Sequence, residues 1–101
     1  MKRNKKKPYA SAEPFFKKAM KNPEMRILYE EEMAKMEIAK AVWNAGVHAH
    51  LTQAALAKKM KISQSLIARL ESGTDERTPT LPLLSRIAAT CGAKLELGFR
   101  F

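Results

Sequence analysis

Apolar residues recur at three- and four-residue steps through most of this chain, and the period shortens to two only at its end. Tyr29, Met33, Met36 and Trp43, together with Ile38, Val42 and Ala45, predict a helix from Pro23 to about Ala49. Asn22-Pro23-Glu24 supplies its start, with Asn as N-cap, Pro at the first helical position and Glu at the positive dipole end. Gly46 interrupts the stripe at a cost of about 1 kcal/mol. The spacing of Ala45, Ala49 and Leu51 carries the helix through it.

Leu51 to Gly73 reads as two short helices joined by a tight turn. Thr52 caps Gln53 to about Met60, Ser63 caps Gln64 to Ser72, and Gly73 stands where a left-handed residue ends a helix. Leu56, Ala57, Ile62, Ile67 and Leu70 face inward, and the small Ala57 lets the second helix cross the first closely. After a loop over residues 74–79, Thr80 caps a last helix from Leu81 to Cys91, with Leu83, Leu84, Ile87, Ala88 and Cys91 as its inner stripe and Gly92 as its stop. The ending, AKLELGFRF, alternates apolar and polar and predicts a β-strand over 93–101. The sequence offers it no second strand. Leu95, Leu97 and Phe99 are therefore expected to pair with a symmetric copy or with another protein.

The first 22 residues stand apart. MKRNKKKPY has no apolar period and reads as disordered. Ser11 is placed to cap a short helix from Ala12 to Met20, whose stripe of Phe15, Phe16, Ala19 and Met20 is either core or an anchor for a partner. The organisation is thus a basic N-terminal segment, 1–22, and a folded domain, 23–101.

Charge follows that division. The net charge of +9 is concentrated in residues 1–22, with eight Lys/Arg against one Glu. Residues 23–48 carry three against five Glu, and residues 49–101 eight against four acids. Both basic parts suit a polyanion, because charge carries most sequence-independent DNA affinity. The acidic band Glu30-Glu31-Glu32 is a solvated face or a site for a basic protein. With 101 residues the chain is one domain, small enough to gain from dimerisation. No run approaches the roughly 18 apolar residues of a membrane span, and no signal peptide is legible. A single cysteine, Cys91, excludes an internal disulfide and suits a reducing cytoplasm.

Candidate chemistry lies on the second helix of the central pair. With its apolar side inward, Gln64, Ser65, Ala68 and Arg69 form the outer face, and Gln and Arg make paired hydrogen bonds to adenine and guanine edges. That is the geometry of a helix-turn-helix with a recognition helix for the major groove. Gln64, Ser65 and Arg69 are the candidate base contacts. Gln53 at a helix start, with Thr52, Lys61 and Arg77, are the candidate phosphate contacts. Enzyme chemistry finds no support: there is no glycine-rich phosphate loop, nucleophile elbow or paired catalytic carboxylates. His48 and His50 are splayed, lack a third ligand and read as surface-loop residues, so neither a metal nor another cofactor is expected.

LTQAALA followed by ISQSLIARLESG resembles the XRE class of helix-turn-helix proteins, which includes the phage repressors. The resemblance rests on Leu51, Thr52, Gln53, Leu56, Ala57, Ser63, Gln64, Ser65, Ile67, Arg69, Glu71 and Gly73. The family usually has Gly in the turn, where this chain has Lys61; a left-handed Lys61 would carry roughly 1–2 kcal/mol of strain. The resemblance implies an all-α, phage-repressor-like bundle, here with an extended N-terminal helix and a short C-terminal strand. Over roughly Pro23 to Phe99, the acidic Met-rich first helix and the closing GAKLELGF are similar to HigA-type antitoxins. That similarity implies a cytoplasmic homodimer that represses its own operon and neutralises an mRNA-cleaving toxin of the RelE type. Phe15, Phe16, Met20, Tyr29 and Met33 would then be toxin contacts. The competing reading is a stand-alone XRE regulator with no toxin.

Overall fold

Among the residues described by the structure, a computed structural model covering 3, 7–9, 16–17, 21–75 and 77–101, four helices are assigned, each opened by a side-chain cap. They are α1 (Pro23–His48), α2 (Gln53–Met60), α3 (Gln64–Ser72) and α4 (Leu81–Thr90). The Asn22 carboxamide oxygen accepts from the Glu24 N–H at 2.9 Å, Thr52 Oγ1 from Ala55 at 3.1 Å, Ser63 Oγ from Leu66 at 3.1 Å and Thr80 Oγ1 from Leu83 at 3.2 Å. Each bond satisfies one of the donors that a helix start leaves without a partner.

The four C-termini share one device. His50, Lys61, Gly73 and Gly92 all adopt positive φ, at 57°, 59°, 73° and 74°. The following N–H then reaches back six residues inclusive, from Leu51 to Gly46, Ile62 to Ala57, Thr74 to Arg69 and Ala93 to Ala88, at 2.8–3.2 Å. This is the Schellman arrangement, and glycine enters it without steric cost. Histidine and lysine do not, so two of the four turns carry local strain. His48 belongs to the last turn of α1, which corrects its reading as a loop histidine, while His50 is exposed in the turn that follows, with left-handed φ.

The core draws on all four helices: Val42 from α1, Leu56, Ala57 and Met60 from α2, Ile67 and Leu70 from α3, Ile87 from α4, and Cys91 just beyond. Leu56 and Ile67 are fully buried, each contributing about 1.5–3 kcal/mol. α1 packs on α3 and α4, and α2 packs on the same two. The inner face of α1 is Met36, Ala39, Val42 and Gly46; Tyr29, Met33 and Trp43 are only half-buried. No residue of α1 before Met36 is buried, and its first turns project from the bundle with Ile27 and Leu28 exposed, while Glu31 and Lys35 still line a groove with Arg69 of α3.

The expected C-terminal strand is not formed. Residues 93–101 carry no strand assignment and are exposed throughout. The physical reason is that a strand exists by pairing, and no described residue offers a second one. Leu95 lies against a groove lined by Ile38, Val42, Ala45, Leu84 and Ala88, while Leu97 and Phe99 remain 79 % and 91 % exposed. The short helix expected over Ala12–Met20 falls mostly outside the described residues; Phe16 and Lys17 are helical.

Candidate nucleic-acid interface

The direction of α3 is set by its inner side. Ile67, Leu70 and Glu71 are buried, which turns Gln64, Ser65 and Arg69 to solvent. Arg69 Nη1 donates to Ser65 Oγ at 3.4 Å, a weak bond one turn away, and the rest of the guanidinium fork has no hydrogen-bond partner among the described residues. Gln64 sits at the first helical position, just past the cap. The three candidate base-reading side chains therefore share one exposed face, and α2 crosses behind them with Leu56, Ala57 and Met60 in the core.

The candidate phosphate contacts divide. Lys61 is exposed in the turn between α2 and α3, with Lys58 and Lys59 exposed on the last turn of α2. Arg77 is exposed in the loop after α3, its backbone N–H donating to Asp75 Oδ1 at 3.1 Å. Arg77 and Arg69 line one groove together with Lys35, Glu31 and Asp75, which brings two guanidinium groups to the same end of the recognition helix. Thr52 is occupied in capping. Gln53 is engaged inward: its carboxamide donates to Glu71 Oε1 at 3.0 Å, so its side chain is held in place at the start of α2 rather than swinging free.

Glu71 is the residue that sequence reasoning left without a role. It is fully buried, the one charged side chain in the described core. It also receives Arg3 Nη1 in an ion pair. The available signal was its register: it falls one turn after Ile67 and beside Leu70, on the inner stripe, where a carboxylate must find donors or a cation. Arg3 carried no comparable signal.

Cys91 is buried in the same interior. Burial pushes its thiol above the ordinary range; nearby Arg3 and Lys59 pull it down, and Glu71 adds to the rise. A protonated, enclosed thiol is a small core group and a poor nucleophile. Among the described residues no three His, Cys, Asp or Glu side chains gather in metal-holding geometry, and no described helix is long and apolar enough to cross a membrane.

Of the residues expected to meet a protein partner, Phe16 is half-exposed and stacks edge-on against Tyr29, with 5.8 Å between centroids. Met33 is half-buried on the same projecting part of α1. Phe15 and Met20 lie outside the described residues.

Two capped short helices, a tight turn between them and an outward Gln-Ser-Arg face on the second define a helix-turn-helix DNA-binding unit of the XRE type. The chain belongs to the Helix-turn-helix family, whose sequence pattern matches residues 47–97, from the last turn of α1 to Leu97. Set against curated proteins and against solved structures, the chain finds no match.

Proposed function

We propose that this protein is a sequence-specific transcriptional repressor that reads DNA through α3. The observation that carries this reading is the shared exposed face of Gln64, Ser65 and Arg69, held by the buried Ile67 and Leu70 behind it. Gln64 and Arg69 read base edges, with Ser65 beside them. Lys61, Arg77 and the start of α2 at Thr52 and Gln53 anchor the phosphates. The protein acts in the cytoplasm as a non-catalytic binder without a cofactor. The test is binding to duplex DNA from upstream of its own gene, with random-sequence duplex as comparator and Gln64→Ala and Arg69→Ala as probes.

The finer reading is an antitoxin that also neutralises an mRNA-cleaving toxin of the RelE type. Two apolar surfaces left uncovered in the single chain support it. One is the projecting half of α1, where Ile27 and Leu28 are exposed beside Phe16 and the half-buried Tyr29 and Met33; the other is the C-terminal segment with Leu97 and Phe99. Exposed apolar area of this kind suits protein contact. We assign the C-terminal segment to a second copy, where two such segments pair about a twofold axis and set two recognition helices one DNA turn, roughly 34 Å, apart. Its rival role is adding a strand to the toxin's sheet. The projecting half of α1 is assigned to the toxin. Co-expression with the product of the neighbouring gene tests this: a co-purifying partner supports the antitoxin, and DNA binding with no partner leaves a stand-alone XRE regulator.

A further inference from the structure

Arg3, in the N-terminal arm, reaches into the helix-turn-helix. Arg3 is 11 % exposed at its side chain, although it lies 68 residues from Glu71, to which its Nη1 donates. Its Nε donates to the Leu51 carbonyl at 2.8 Å, in the turn between α1 and α2. The guanidinium lies over Gly46 so closely that a Cβ there would fall 2.5 Å from Nη2 and 3.2 Å from Cζ. This gives the glycine in the last turn of α1 a physical reason, since any side chain would occupy the space the arginine fills. Glu71 Oε1 is shared between Arg3 and Gln53. Arg3 Nη2 and Glu71 Oε2 are buried with no partner among the described residues. Removing either partner of such a pair leaves an uncompensated charge in the core.

A second contact holds the arm to α1. Tyr9 meets Trp43 edge-on, with ring centroids 6.4 Å apart, and Lys40 Nζ stands 5.9 Å above the Tyr9 ring. Arg3 at Gly46 and Tyr9 at Trp43 and Lys40 follow one another in the direction opposite to α1.

We propose that the N-terminal arm is a strap of the DNA-reading unit, and that Arg3 is a positioning residue for DNA anchorage. Arg3 neutralises Glu71 inside the core, and Glu71 holds the Gln53 carboxamide at the start of α2. Without the guanidinium, a buried carboxylate shared only with Gln53 must reach water, and Gln53 moves with it. Operator affinity then depends on a residue 48 positions before the helix-turn-helix begins. The DNA consequence rests on the reading of Gln53 as a phosphate anchor; the strap itself does not.

The experiment compares the full-length protein with Arg3→Ala, Gly46→Ala, Glu71→Gln and Gln53→Ala, and combines Arg3→Ala with each of the last two. Trp43 is the single tryptophan, so its emission and its quenching by acrylamide report the arm directly. DNA binding is read by anisotropy on the upstream duplex, well below the melting temperature of every variant. Arg3→Ala is expected to increase Trp43 quenching and to weaken binding roughly tenfold, about the worth of one hydrogen-bonded anchor. Gly46→Ala keeps every charge and improves helix propensity, which offsets part of the cost of displacing the guanidinium. It is expected to displace the arm and reproduce both effects. In the Gln53→Ala background Arg3→Ala should cost no further affinity, and Glu71→Gln should shrink its effect on stability. Wild-type quenching in both Arg3→Ala and Gly46→Ala overturns the strap. Changed quenching with unchanged affinity, or additive losses with Gln53→Ala, overturns the positioning role. A wild-type protein that binds no DNA while Trp43 responds to Arg3→Ala overturns the DNA reading and the positioning role together, and supports the strap.

Discussion

Replacing Lys61 by glycine should make the protein more stable and a weaker DNA binder at once. Lys61 has φ 59° and ψ 41°, the left-handed region. A residue with a Cβ pays roughly 1–2 kcal/mol to stand there. Glycine pays nothing in the fold but loses about 0.5–1 kcal/mol more chain freedom on folding. The difference lies between about 0 and 1.5 kcal/mol, a net gain centred on ~0.75 kcal/mol. Nothing else is lost from the turn, because the N–H bond of residue 61 to the Lys58 carbonyl at 3.2 Å and that of Ile62 to Ala57 at 3.0 Å are backbone bonds. At about 4–8 °C per kcal/mol for a domain of this size, that central value raises the melting temperature by roughly 3–6 °C, read by circular dichroism. The same change removes an exposed cation from the turn that precedes α3. If Lys61 neutralises one phosphate, the slope of log affinity against log salt should flatten by about 0.9. Lys61→Ala separates the two effects, since it removes the charge while keeping a Cβ in the left-handed region. A lower melting temperature for Lys61→Gly would refute the strain argument, and an unchanged salt slope would remove Lys61 from the phosphate contacts.

Three further outcomes follow from the packing and the ends of the chain. Ile67→Ala, at a fully buried position of α3, should cost about 2–5 kcal/mol in denaturant unfolding; a loss under about 1 kcal/mol would mean that α3 is not docked on Ile67. Cys91 should resist thiol reagents until unfolding. Its raised thiol contributes stability that is complete at neutral pH and erodes as pH climbs past the ordinary thiol range, where the unfolded chain ionises first; Cys91→Ala should flatten that alkaline decline, and an unchanged decline would assign it to other groups. Truncation after Gly92 should give a monomer by light scattering with weak DNA affinity, whereas a truncated dimer that binds DNA normally but no longer binds the toxin would hand the segment to the toxin.

The parts of this fold that were legible in the sequence are those decided locally. Asn22, Thr52, Ser63 and Thr80 each announce a helix start because the bond they make spans two or three residues. Gly73 and Gly92 announce two of the ends, and His50 hides a third because nothing in a histidine signals positive φ. The outward Gln64–Arg69 face followed from the inward Ile67 and Leu70 by period alone. What escaped is decided across long separations. Gln53 reads as a free anchor until Glu71, 18 residues on, takes its carboxamide. Arg3 reads as one cation in a basic tail until the fold brings Gly46, Leu51 and Glu71 around it. The C-terminal alternation was legible as a pattern, but a β-ladder needs a second strand, and period-2 alternation does not say where that strand comes from.

The most direct measurement of the central claim is the affinity of wild-type protein, Gln64→Ala and Arg69→Ala for the upstream duplex and for random duplex at one fixed salt concentration. The account predicts tighter binding to the upstream duplex by the wild type. Each substitution should cost about 1–3 kcal/mol on that duplex, with little change on the random one. Equal binding of all three proteins to the upstream duplex would contradict the assignment of α3 as the helix that reads DNA.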